Sequence, residues 1–116
     1  MSDKALATFT IGQGRAIPVD HAGPKSYTTG GETLGQINNQ TGITVLGLGI
    51  LDDVLGSGSV SVSGNYGVIV QPVGKGEQKT FKLIWVTATS GIPSTTQVTS
   101  TTDLSAETVK LVYIGR

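Results

Sequence analysis

Thr80-Phe81-Lys82-Leu83-Ile84-Trp85-Val86-Thr87 is the stretch whose reading decides the fold. Side chains alternate across a strand with a period of two. Phe81, Leu83 and Trp85 therefore share one face, and Lys82, Ile84 and Val86 share the other. β-Branched and aromatic residues suit such a pleated, half-buried surface. The pattern returns in Thr108-Val109-Lys110-Leu111-Val112-Tyr113-Ile114, where Val109, Leu111 and Tyr113 alternate with Lys110 and Val112. The two strands are expected in one central sheet, with Phe81, Leu83, Trp85, Val109 and Leu111 buried.

Outward from that stretch, Gly74-Lys75-Gly76-Glu77 reads as a hairpin connection to a strand over Tyr66 to Val73. Ser59 to Ser63 alternates strictly, with Val60 and Val62 on one face. Gly56-Ser57-Gly58 is a turn, and Gly64-Asn65 a bulge or tight turn. Ile43 to Leu51 is a strand or a buried irregular segment, and periodicity does not decide which. Lys4 to Ile11 reads as a first strand. Arg15 to Asp20 is a short extended piece that Pro18 places at an edge or an end. His21 to Gly31 is a loop. Glu32 to Gln40, with Leu34 and Ile37 three apart, reads as one short helical turn over residues 32–40. Ser90 to Thr102 is a long Ser/Thr loop, and loops of that length in compact domains are usually functional. Asp103-Leu104-Ser105 opens the last unit. The fold class is all-β: a small antiparallel β-sandwich or barrel. One domain covers residues 1–116, with an extended N-terminal arm over 1–4.

Composition narrows the function. Of 116 residues 14% are charged, well under the usual quarter or so, and the formal net charge is 0. Neutrality removes the electrostatic drive toward nucleic acid or an anionic membrane, so neither is an expected partner. The apolar run over Ile43 to Leu55 is broken by glycines and aspartates and is no membrane span. Without cysteine there is no disulfide framework and no thiolate metal site.

Few groups here support catalysis. His21 is the lone histidine. A hydrolase would pair it with Asp20 and a serine such as Ser26. Asp20 is its immediate neighbour, and no nucleophile elbow is present. His21 reads instead as a surface loop residue whose replacement leaves the fold unchanged. One histidine is a poor start for zinc, and Asp52-Asp53 lacks the alternating oxygen ligands of a calcium loop. Gly12-Gln13-Gly14 and Gly47-Leu48-Gly49 lack the context of a nucleotide fingerprint. Asn39-Gln40-Thr41 matches a glycosylation acceptor but reads as plain loop. No catalytic residue, metal or cofactor is expected. Trp85 and Tyr27, Tyr66 and Tyr113 would make a sugar platform if exposed, but the phase of Trp85 assigns it to the core. Tyr27, in a glycine-rich loop, is either an interface anchor or a local packing residue.

Ser26-Tyr27-Thr28-Thr29-Gly30-Gly31-Glu32-Thr33-Leu34 resembles a loop of small structural proteins of tailed-phage heads. There an aromatic, a hydroxyl residue and Gly-Gly precede a Leu-containing turn. Phe81 to Trp85, the Ser/Thr loop, Thr102 to Ser105 and Thr108 to Gly115 fit the same pattern. The chain thus resembles the head decoration, or cement, proteins. The resemblance implies a virion protein on the outer capsid surface, made in the host cytoplasm. Its partner would be the major capsid protein, and decoration proteins often sit at three-fold positions as trimers. The interface residues expected are Lys25, Tyr27, Thr28, Thr29, Gly30, Gly31, Thr95 and Thr96. A carbohydrate-binding or tail-associated adhesion module is the alternative, and an enzyme the least supported class.

Overall fold

A computed structural model of the chain describes residues 4–6, 9–11, 14–35, 48, 50–74 and 80–116. The described residues form nine strands and no helix: β1 (Lys4–Ala5), β2 (Phe9–Ile11), β3 (Gly14–Ala22), β4 (Glu32–Gly35), β5 (Leu51–Leu55), β6 (Tyr66–Val73), β7 (Thr80–Thr89), β8 (Ile92–Gln97) and β9 (Thr108–Gly115). They make two antiparallel sheets packed together as a small sandwich, not a closed barrel. In the first, the order is β1-β3-β9-β5, with β2 following β1 along the same edge of β3. In the second, β7 lies between β6 on one side and β4 then β8 on the other.

The inward faces of β7 and β9 are apolar as the alternation requires. Phe81, Leu83, Trp85, Val109, Leu111 and Tyr113 are all buried. The two strands do not share a sheet, however. Each is the middle of its own sheet, and their apolar faces meet across the core rather than side by side. Ile17 and Val19 of β3, Leu51 and Val54 of β5, Leu34 of β4 and Val68 of β6 complete that core.

Four other expectations change. Glu32–Gly35 is a strand, not a helical turn: Glu32 pairs with Leu83 and Leu34 with Phe81. The free edge of β7 captures this segment and buries Leu34, a stronger pull than one three-residue spacing. Residues 36–40 lie outside the described residues, as do Asn39-Gln40-Thr41, Lys75 to Glu77, most of Ile43 to Leu51 and residues 1–3 of the expected arm. Lys4 itself pairs with Asp20.

Arg15 to Asp20 belongs to a nine-residue central strand, despite Pro18. The Pro18 carbonyl accepts from Leu6 N. A residue's N and C=O point to the same side of an antiparallel strand. The missing N–H thus faces the side where β1 gives way to β2, and the ladder to β9 is unharmed. The first strand itself is split, and its register against β3 shifts by one residue between β1 and β2.

Ser59 to Ser63 contributes only a bridge, Val60 to Gly67, and Val62 is 77% exposed. Gly58 N, Ser61 N and Val68 N still bond across to Val68 O, Tyr66 O and Ser59 O. The segment thereby covers the outer edge of β6, a common protection for an edge strand.

Ser90 to Thr102 is not one loop, since its first part is β8. Ser90 and Gly91 both have positive φ, 52° and 78°. That is the two-residue hairpin connection whose twist matches the strands.

Leu83 is fully buried at the middle of β7. Leu83→Ala should cost about 2–5 kcal/mol, measured as the shift in unfolding free energy by urea titration.

Candidate functional site

Two long segments close one end of the sandwich. Residues 23–31 join β3 to β4, and residues 98–107 join β8 to β9. They run together through four backbone bonds: Gly23 N to Glu107 O, Leu104 N to Pro24 O, Tyr27 N to Thr102 O, and Thr101 N to Tyr27 O. The approach is close enough that a Cβ on Gly23 would lie 2.4 Å from Leu104 O, so only glycine fits.

Tyr27 is the pin of this arrangement. Its ring is 1% exposed, so it is a core residue and not an exposed anchor in a flexible loop. Its hydroxyl donates to Gln97 Oε1 at 2.8 Å and accepts from Trp85 N at 3.2 Å. The same Gln97 oxygen accepts from Gly30 N at 2.6 Å. Burial, together with the nearby Glu32 charge, pushes the Tyr27 phenol above its ordinary value, and the Trp85 bond opposes this only in part.

Above this pin the surface is polar and exposed. Gly31 N bonds Thr28 O, closing a turn with Thr29 and Gly30 at its centre and Gly30 at φ 100°. Lys25, Thr28, Thr29 and Gly30 are exposed, whereas Gly31 is buried against β7. Beside them β8 bulges away from β7, because its register shifts between the Val86 and Ala88 pairs. Thr95 and Thr96 sit on that bulge and are exposed. The Gly30–Gln97 bond brings the Thr28–Gly30 turn beside Thr96 and its neighbour Thr95 in one rim, Lys25 lies further along the same loop near Asp103, and Tyr27 and Gly31 are buried beneath. Thr101, next along the rim, holds a φ of 71°. A β-branched residue there costs on the order of 1–3 kcal/mol and persists only where its surroundings over-determine it. Here its N–H is tied to Tyr27 O at 2.7 Å.

His21 is not on the surface. It lies on β3 in phase with Ile17 and Val19 and is 4% exposed. Its Nε2 is 2.7 Å from Glu32 Oε1, which also accepts from Trp85 Nε1 at 2.9 Å. A carboxylate only accepts, so Nε2 carries the hydrogen. Asp20 points to the opposite face of β3 and bonds Lys110 Nζ at 2.6 Å, so it cannot orient His21. Asp52 and Asp53 are likewise engaged, with Arg116 Nε and Val54 N. Among the described residues no three metal-ligating side chains cluster, and no buried side-chain polar atom lacks a partner. Trp85 and Tyr113 are buried and Tyr66 packs against the core, so these rings form no exposed stacking platform.

No family model, curated protein or solved structure matches this chain.

Two outcomes follow from the polar bonds. His21→Ala should lower stability by about 1–3 kcal/mol, because it removes a buried ring and strips the half-buried Glu32 carboxylate of a donor; thermal and urea unfolding will read the loss. The Tyr27 phenol is raised in the folded state, so its stabilisation is complete below the unfolded value near 10 and drains away as pH rises through the folded value. The urea midpoint should hold to about pH 9 and fall as the pH rises through and above about 10, and fall less in Tyr27→Phe.

Proposed function

We propose that this protein decorates and stabilises the outer shell of a tailed-phage capsid by bridging neighbouring major capsid subunits. Support comes from the resemblance of Ser26 to Leu34 and of the C-terminal strands to head decoration proteins. The observation that carries the reading is the rim. Two segments some seventy positions apart in sequence bring the Thr28–Gly30 turn beside Thr95 and Thr96, with Tyr27 and Gln97 holding them from below. A pre-ordered loop surface loses little entropy on docking. A hydroxyl-rich surface with few charges suits a wet contact shared with backbone amides and bridging water. Many copies on one particle multiply such modest contacts. The resemblance adds a three-fold position and a trimer to the reading.

The buried aromatic rings leave the sugar-binding alternative without a stacking surface. The test mixes purified protein with undecorated tailed-phage heads and sediments them. Stoichiometric co-sedimentation is expected, weakened about tenfold or more in a Thr29→Arg/Thr96→Arg variant, because a charge with no partner must be desolvated. Protein that stays in the supernatant and instead binds a glycan array would replace the capsid reading with the adhesion module.

A further inference from the structure

The outer face of the first sheet breaks the usual rule for a sandwich. One face of an antiparallel sheet packs on the core, and the other is expected to be polar. Residues paired directly across strands share a face, so the register lays out that outer surface in rows. In the central row Leu6 stands opposite Pro18, Pro18 opposite Val112, and Val112 opposite Leu55. Four apolar side chains thus cross the whole width of the sheet. None is buried, and Leu6 and Leu55 are each 47% exposed. One row away Ala16 stands opposite Ile114, and Ile114 opposite Asp53. On the other side lies the ion pair of Asp20 and Lys110, itself a directly opposed pair.

We infer that this face is the contact through which two copies of the chain pair, sheet against sheet, about a two-fold axis. Charge is the first argument for a second copy. The charged row sets Asp20 directly against Lys110, with Lys4 in register on the far side of Asp20. A two-fold axis running between β3 and β9 brings the Lys110 of each copy over the Asp20 of the other, so this pair is complementary to itself. The second argument is area. Four strand positions at about 4.8 Å and eight residues at about 3.4 Å give a face of roughly 500 Å². A pair therefore buries about 1,000 Å² in all, the lower limit for a specific interface. That size fits a dimer that dissociates on dilution. The apolar row supplies the attraction and the ion pairs fix the orientation. The inference does not rest on the capsid reading, and the rim used there lies on other residues.

Sedimentation equilibrium of the full chain, from about 5 µM to about 500 µM, is the test. A concentration-dependent shift from monomer to dimer is expected. Val112→Lys should abolish it, and Leu55→Lys, at the sheet edge, serves if the first variant unfolds. Lys110→Asp alone should weaken pairing at least tenfold, and Asp20→Lys/Lys110→Asp should restore it. A chain that remains monomeric throughout, or an oligomer that neither lysine substitution disturbs, overturns the inference. Loss of co-sedimentation with heads in Thr29→Arg/Thr96→Arg while the dimer persists leaves both readings standing. Loss of the dimer in that rim variant overturns this one.

Discussion

Glu32 Oε1 holds the two sheets of the sandwich together. The carboxylate belongs to β4 in one sheet, and His21, which bonds it, belongs to β3 in the other. Trp85 Nε1 bonds the same oxygen. The largest ring of the core is thereby satisfied where it would otherwise bury a bare N–H. Through Trp85 N the chain of bonds continues to Tyr27, then Gln97 and Gly30. Hydrophobic packing alone allows two sheets to slide over each other. Directional bonds at one seam fix their relative position, and a fully satisfied polar network specifies one arrangement. The exposed rim inherits its order from this line, since Gly30 and Gln97 are its last links.

Much of the fold was legible because alternation is a local signal. Phe81, Leu83 and Trp85, or Val109, Leu111 and Tyr113, need no distant partner to declare their face. The misreadings share a cause of the opposite kind. Glu32 to Gly35 is a strand only because β7 offers an edge. Ile92 to Gln97 carries Ser and Thr where a core strand carries Val and Ile, and only Ser90-Gly91 marked its hairpin. Pro18 looked like a strand end because the direction of a missing N–H is set by neighbours the sequence does not reveal. Of the site, the exposed hydroxyl residues were visible as composition. The bond of His21 to Glu32, and the role of Gln97 as a double acceptor, had no signal in spacing or residue type.

The molecule also divides its surface by chemistry. The end formed by residues 23–31 and 98–107 is polar, rich in hydroxyls and tied down by backbone bonds. The outer face of the first sheet carries an apolar row of Leu6, Pro18, Val112 and Leu55 beside the Asp20–Lys110 pair. A flat apolar face invites a partner of the same shape, whereas a structured polar rim discriminates among partners through individual hydrogen bonds.

The position of β9 has a consequence for how the molecule is made. It follows every other strand in the chain, yet it fills the middle of the first sheet, between β3 and β5. Arg15 pairs with Thr10 on one side, but its partner on the other side is Gly115, a hundred positions later. The second sheet differs, since β6, β7 and β8 are successive hairpins. During synthesis on a ribosome that hairpin unit can form as it emerges. The edges of β3 and β5 that face β9 must wait unpaired until β9 has been made. Hairpins of β1 and β2 with β3 can form early, but the first sheet is completed only by β9, and the interval before β9 is made is when the chain most needs shielding from its neighbours.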